Sequence, residues 1–354
     1  MQRGEVCGDR AYAKRAEAII SNIHEGAPCK LTTSCTSALE AAAIALGIDD
    51  QSEVIVPSYT FVSTASAFAM RGARIRFIDS REDTFNMDET LLEGMITKRT
   101  KAILPVHYAG VACEMDRIME VANRHGIPVV EDNAHGLFGK YKSKPLGTFG
   151  CLSTLSFHET KNITCGEGGA IVVNDPALLE RIEIIREKGT NRSQFFRGQV
   201  DKYSWQGLGS SYVMSDVLAA FLFGQLEQWE SIQAKRKHIW NQYNIGLKDW
   251  AEKVGVRLPF IPDHCEQTYH MFYLLFEDLK GRTSFMEYMK EKGVHTVFHY
   301  LPLEQSNYAK SRGWDSDACP VSNSISDRLV RLPLYPSMSD SQIDTVITAI
   351  VNFA

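Results

Sequence analysis

The sequence lacks long apolar runs, paired cysteines and a surplus of basic charge, and each absence removes a class of function. No stretch approaches the roughly 20 apolar residues needed to span a bilayer, and the opening MQRGEVCGDRAYAKR has no apolar signal segment. The eight cysteines are scattered singly, with no CxxC anywhere. That argues against a zinc site or a thioredoxin-like motif and leads us to expect free thiols in a reducing cytoplasm. A net charge of −5 speaks against nucleic acid as the main partner, since phosphate binding requires a basic face. Internal repeats and low-complexity segments are also lacking. With 354 residues, 44% of them apolar, the chain can build one large domain and a smaller one, each with its own core.

What is present is an alternation of short apolar strands with helical patterns. Glu53–Pro57, Ala73–Asp79, Lys101–Val106, Ile127–Glu131, Leu152–Phe157 and Ala170–Val173 read as strands. Leu31–Gly47, Thr60–Arg71, Asp88–Ile96, Glu114–His125 and Ala177–Lys188 contain helices. Strands alternating with helices predict a mostly parallel sheet covered on both faces. A helix is expected over Tyr212–Trp229 and another over Lys235–Trp250. The composition then shifts around Gly255–Asp263 toward a small α+β unit: strands over Tyr269–Phe276 and Val294–Leu301, helices over Ser284–Lys292 and Ser339–Phe353. We expect a large α/β domain over 1–235 and a small C-terminal domain over 236–354.

In parallel sheets ligands gather at the carboxyl ends of the strands. That rule brings Pro57–Phe61, His107–Gly110, Glu131–His135 and the loop around Lys161 to one rim. Lys161 lies in LSFHETKNITCGEGG, between two strand patterns. A lysine amine in a partly dry pocket loses proton affinity and becomes a nucleophile able to form a Schiff base. Glu131 and Asp132 follow a buried strand, where an acidic pair is costly without partners; one could meet a cationic ligand atom, or the pair could serve a cap or an internal salt bridge. Thr36 and Ser37 stand at a helix start suited either to a phosphate or to plain capping. Phe61 could cover a flat ring or pack in the core. Gly189–Gln206 breaks every periodicity and carries four aromatics, which suits an interface or a substrate lid.

These elements meet the needs of one cofactor, pyridoxal phosphate: an imine lysine, an anion for the pyridine nitrogen, a phosphate cup and a ring cover. SCTSALEAAA, VIVPSYTFVSTA, ILPVHYAG, VVEDNAHG, LSFHETKNITCGEGGAIV and FHYLPL together resemble the DegT/DnrJ/EryC1/StrS sugar aminotransferases, over nearly the whole chain. The resemblance implies an aspartate-aminotransferase-like fold, fold type I, acting as a homodimer with shared active sites. It implies that Lys161 forms the imine and acts as general base, and that Asp132 pairs with the pyridine nitrogen. Thr36, Ser37 and Ser156 would hold the phosphate, Phe61 would stack on the ring, His135 would stand near the phenolic oxygen, and His158 would lie beside the site. L-Glutamate would be the amino donor and a dTDP-linked 4-oxo-6-deoxy sugar the acceptor. Arg192, Arg197, His299 and Tyr300 are candidate substrate contacts, with pairing to Asp or Glu an equal alternative for the arginines. No metal is implied.

The sequence departs from the family pattern in three places. Relatives usually carry a further segment ahead of the element at Gly4–Asp9. Many have Asn at the position of Val213, and Glu304 stands where a second His is common. A sugar dehydratase of the same frame would have His in place of Lys161. A non-catalytic cofactor-binding protein and a C4 aminotransferase of the opposite stereochemistry remain as alternatives.

Overall fold

The computed structural model describes residues 6–316 and 318–353; Gly4, in the expected Gly4–Asp9 element, lies outside them. Seven strands form the central sheet: β1 (Cys29–Thr32), β2 (Glu53–Pro57), β3 (Arg74–Ile78), β4 (Thr100–Ile103), β5 (Val130–Asp132), β6 (Leu152–Ser156) and β7 (Gly169–Val173). β3, β2 and β4 pair in parallel, as do β5 and β6. Parallel bridges Ile103–Val129 and Val106–Asp132 join β4 to β5. β7 runs antiparallel to both β6 and β1. The order is therefore β1-β7-β6-β5-β4-β2-β3, mostly parallel with β7 reversed. β2 and β7 are buried at every residue, which is why they read as unbroken apolar runs rather than alternating ones.

Helices cover the sheet because their small faces permit close approach. The helix Cys35–Ala45 buries Ala38, Ala41, Ala42 and Ala45 against the sheet. Ser34, rather than Thr36, caps it: its hydroxyl accepts from the Ser37 amide at 3.0 Å. Gly169 opens β7 directly beneath this cap. A Cβ there would lie 2.3 Å from the Ser34 carbonyl carbon, so only glycine lets the strand pass. Gly166 has φ +85°, a conformation that suits glycine.

A second apolar core lies wholly in the C-terminal part, built from Ile239, Tyr243, Leu247, Phe272, Phe285, Val330 and Ile343. The helix Trp229–Val254 runs unbroken through residue 235. Its first turns reach the large core through Trp229 and Ile232, and its later turns build the small one.

Several expected elements differ. Asp88–Ile96 contains only the helical turn Leu92–Met95, because the Asp88 carboxylate takes the Thr90 amide and hydroxyl into a local turn. Val294–Leu301 forms no strand beyond one bridge, Val297–Arg331. The strand expected over Tyr269–Phe276 shortens to Tyr273–Leu275, with Tyr269 at φ +53°. The loop Gly189–Gln206 includes a short helix, Arg192–Phe196. A helix Ala11–Ile23, unread in the sequence, packs on Asp216–Leu226; its buried face is Ala13, Ala16 and Ile20, and such small residues give weak periodicity.

The adjacent carboxylates of β5 diverge. Glu131 is fully buried and accepts from the Gly147, Phe149 and Gly150 amides at 2.7–2.8 Å, while His107 Nε2 lies 3.0 Å away. Burial alone would raise its pKa, but the His107 ring and the amides outweigh it and hold it below the ordinary value. A depressed folded pKa contributes stability above the unfolded value of about 4.3, lost as pH falls through the folded value. Glu131→Ala is expected to lower unfolding stability by about 3–5 kcal/mol at neutral pH. Urea titrations should show the gap between wild type and variant narrowing as the solution is acidified; a constant gap would contradict this role.

Candidate active site

The loop after β6 is held so that Lys161 turns into the molecule while its neighbours anchor. The Lys161 amide donates to the His158 carbonyl at 2.9 Å. Asn162 donates to the Thr268 carbonyl at 2.7 Å and to Gln233, and its carbonyl oxygen meets His270 Nδ1 at 2.9 Å. Among the described residues no hydrogen bond or ion pair engages the Lys161 amine. Burial lowers its proton affinity; the nearby Asp132 and Cys35 oppose the shift and Arg331 adds to it. A desolvated amine free of partners gives up its proton more readily and is the better nucleophile for it.

Asp132 ends β5 on the face opposite Glu131. Its carboxylate accepts from the Thr64 hydroxyl at 2.7 Å and from the Ala134 amide at 3.2 Å. Burial raises its pKa, against the pull of Thr64, the Ala134 amide and Lys161. It is therefore a carboxylate short of compensation, ready for a cation.

Histidines and tyrosines close the side toward the small core. His135 lies stacked on His270, ring centroids 4.1 Å apart. Its Nε2 meets the Tyr300 hydroxyl at 3.3 Å, and its Nδ1 is buried without a partner. His299 stacks on Tyr300 at 3.6 Å, and its Nδ1 meets the Tyr108 hydroxyl at 2.7 Å. Burial and, after it, neighbouring positive charge press all three imidazoles toward neutrality.

At the opposite edge stands the start of the helix Cys35–Ala45, where the first amides precede any intrahelical bond. Thr36 Oγ1 donates to Ser63 Oγ at 2.8 Å. Ser37 Oγ lies 2.7 Å from Thr33 Oγ1 and 2.9 Å from Ser34 Oγ. Ser156 ends β6 with its hydroxyl accepting weakly from the His158 amide at 3.5 Å. Phe61, just before the helix Val62–Ala69, is 56% exposed and sits 6.1 Å from the Tyr300 ring.

The structure thus brings Lys161, Asp132, His135, His299, Tyr300 and Phe61 together. His158 turns outward, its ring near Thr160 and Glu167. Arg197 donates to both oxygens of Glu183 on the preceding helix, Leu179–Arg186, and Arg192 lies over the Phe196 ring within its own loop. Glu304 is fully buried, accepting from Ser58 Oγ and Asn323 Nδ2, and so ties the segment after Pro302 to the end of β2. Val213 bridges Thr32, and Tyr212 donates to Glu40 at 2.6 Å. Sequence reading missed Asn162, His270 and Arg331. For Arg331 a signal existed, a charge set between Val330 and Leu332 in an apolar run. Asn162 and His270 gave none.

The residues fit pyridoxal phosphate on the structure's own terms. A buried amine without a partner, an under-compensated carboxylate, a buried imidazole nitrogen without a partner and a helix start lined with hydroxyls are the groups that cofactor calls for. The DegT/DnrJ/EryC1/StrS aminotransferase family model matches residues 9–351. The spore coat polysaccharide biosynthesis protein SpsC of Bacillus subtilis is 34% identical over 325 residues, 90% of this chain and 83% of SpsC. The sugar aminotransferase Spr1654 of Streptococcus pneumoniae, solved in PLP and PMP forms, superposes in its PMP form with a TM-score of 0.90 at 26% identity, covering 99% of this chain and 93% of that one. DesV of S. venezuelae, solved with a ketimine intermediate, gives a TM-score of 0.90 at 29% identity over 99% of this chain and 91% of its own. The chain belongs to the DegT/DnrJ/EryC1/StrS aminotransferase family, of fold type I and dependent on pyridoxal phosphate.

Proposed function

We propose that the chain transfers an amino group from L-glutamate to C4 of a nucleotide-linked 4-oxo-6-deoxy sugar. The first candidate acceptor is dTDP-4-oxo-6-deoxy-D-glucose, yielding dTDP-4-amino-4,6-dideoxy-D-galactose for a surface glycan. The observation that carries the reading is the partner-free, desolvated amine of Lys161 near the under-compensated Asp132. Similarity to SpsC, named for polysaccharide biosynthesis, supports a sugar acceptor.

Bound pyridoxal phosphate supplies the electron sink that makes a carbon bearing nitrogen acidic. Asp132 would hold the ring nitrogen's positive charge; Thr36, Ser37, Ser156 and the helix start would hold the phosphate; Phe61 would cover the ring. His135, whose Nδ1 is buried without a partner, would stand near the cofactor's phenolic oxygen. Lys161, with its lowered proton affinity, would take a proton from the reacting carbon and return it two bonds along, a 1,3-shift between the carbons that flank the nitrogen. His299 and Tyr300, stacked and tied to Tyr108, present a flat polar wall suited to a sugar.

The active unit is a homodimer with shared sites. Support comes from the aromatic surface of Phe196 and Trp205, 68% and 80% exposed, together with the half-exposed Phe61 at the site's rim. Among the described residues no helix is long and apolar enough to cross a membrane, and the eight cysteines are free; we place the enzyme in the cytoplasm.

Three outcomes check this reading. Borohydride reduction of the pyridoxal-phosphate-loaded protein should attach the cofactor at Lys161, read by peptide mass, and Lys161→Arg should abolish the label; labelling elsewhere refutes the assignment. L-Glutamate with a panel of dTDP-oxo sugars should yield 2-oxoglutarate and amino sugar in equal amounts, and the product's NMR couplings give the C4 configuration. Bound cofactor without turnover on any sugar would favour a catalytically impaired homologue. Trp205→Glu should shift the protein toward monomer in sedimentation velocity and lower activity at dilute concentration; an unchanged dimer would remove this surface from the interface.

A further inference from the structure

The wall formed by His299 and Tyr300 has little backbone support of its own. Val297 is bridged to Arg331, but among the described residues no backbone carbonyl takes the amides of residues 298–301. Pairing resumes at Leu303, whose amide donates to the Ser58 carbonyl at 3.0 Å. The next residue, Glu304, sits in the single turn Leu303–Gln305 and is fully buried. One of its carboxylate oxygens accepts from the Ser58 hydroxyl, the other from Asn323 Nδ2 at 3.2 Å. Ser58 follows β2 and precedes Tyr59, whose ring lies 5.8 Å from that of Tyr300 and 6.4 Å from that of His299. Asn323 belongs to the helix Pro320–Arg328, which also brings the Ser326 hydroxyl to the Tyr300 carbonyl at 3.1 Å. The first turn of that helix is fixed to the end of β3, where Asp79 accepts from the Val321 and Ser322 amides at 3.0 and 2.8 Å. Glu304 therefore joins the three elements that carry or hold the rings of Tyr59, His299 and Tyr300.

Among the described residues no lysine, arginine or histidine pairs with Glu304. Burial raises its pKa, and the hydrogen bonds from Ser58, Gln305 and Asn323 oppose the rise. A buried carboxylate without a cation is costly, and what it supplies here is two acceptor oxygens for two donors on different elements. A neutral imidazole, common at this position in relatives, has one acceptor nitrogen and cannot receive both.

We propose that Glu304 is a positioning residue for the acceptor sugar: by holding Ser58 and Asn323 together it fixes the His299–Tyr300 wall, and it touches no substrate itself. The inference rests on the sugar aminotransferase reading above. The donor half of the reaction is served by Lys161, Asp132 and the cofactor cup, none of which Glu304 contacts. Loosening the wall should therefore burden the sugar and spare the amino acid.

The test uses the full chain as wild type, Glu304→Ala, Glu304→Gln, Glu304→His and Ser58→Ala. Absorbance changes of the pyridoxal-phosphate form on titration with L-glutamate read the donor half. The pyridoxamine-phosphate form, mixed with an accepted dTDP-oxo sugar over a range of concentrations, reads the acceptor half. Glu304→Ala leaves two buried donors without acceptors and is expected to raise the sugar concentration for half-maximal rate about tenfold, with the donor half within about threefold of wild type. Glu304→Gln should stay within about threefold in both halves, because its amide nitrogen can donate to Ser58 while its oxygen accepts from Asn323. Glu304→His should behave like Glu304→Ala in the acceptor half. Ser58→Ala should shift the sugar half in the same direction, and it carries the comparison if Glu304→Ala does not fold. An equal loss in both halves makes Glu304 a general support of the fold and overturns the inference. Loss of sugar affinity in Glu304→Gln equal to that in Glu304→Ala means that the carboxylate itself meets the substrate, and wild-type behaviour of Glu304→His removes the need for two acceptors; either overturns the inference and leaves the aminotransferase reading intact. A wild-type protein that reacts with glutamate and with no oxo sugar overturns the sugar reading, and the inference with it.

Discussion

Glu131 and Asp132 are neighbours on a buried strand, and the pleat sends them to opposite faces. Everything near the site depends on how differently those faces treat a carboxylate. On one, three amides from residues 147–150 and the ring of His107 surround Glu131. That clamp fixes the turn before β6 against the end of β5, and the turn sets where β6 begins. The strand then delivers Ser156 and, five residues later, Lys161. On the other face, among the described residues, the Asp132 carboxylate receives only a threonine hydroxyl and one amide. Compensating the first carboxylate inside the protein is what allows the second to be left for a ligand.

The site around Asp132 is governed by desolvation rather than by pairing. Burial pushes the carboxylate toward its protonated form, the lysine toward its free amine and the three imidazoles toward neutrality. Each shift disfavours charge, and a charged, hydrogen-bonding ligand would relieve that cost. The stacking of His135 on His270, and of His299 on Tyr300, is compatible with this, since neutral rings stack without repulsion. Stability given up here is recovered in the apolar packing of β2, β7 and the alanine-rich helix above them.

The sequence made the frame legible because a doubly covered sheet writes itself as short apolar runs separated by helical patterns, and β2, β6 and β7 fall within a residue or two of where those runs predict. The rim followed from the direction of the strands, so Asp132, Lys161 and Phe61 were legible as a group. What escaped detection depended on long-range partners. Ser34 rather than Thr36 became the cap in a run of hydroxyls that all suit the role. The stretch 294–301 gives up strand pairing because His299 and Tyr300 are drawn into the aromatic cluster with Tyr59 and Tyr108. Gly169 answers to the Ser34 and Cys35 backbone, which passes within 2.3–2.5 Å of where its Cβ would stand. Arg197 is bound to Glu183, a contact spanning fourteen residues that no spacing rule announces.

Lys161 belongs to the sheet by sequence but is positioned from outside it. Asn162, its neighbour, bonds at once to Gln233 on the long helix and to the 268–270 segment that leads into the C-terminal core. The same segment stacks His270 under His135, and the strand beside it carries Arg331. The small core thus packs against the candidate site, and the helix Trp229–Val254 contributes side chains to both cores. A shift of the C-terminal core along this helix would move the lysine loop, the histidine stack and Arg331 together. The environment of Lys161 is therefore set from both sides, by Asp132 and Cys35 at the sheet and by Arg331 from the C-terminal core.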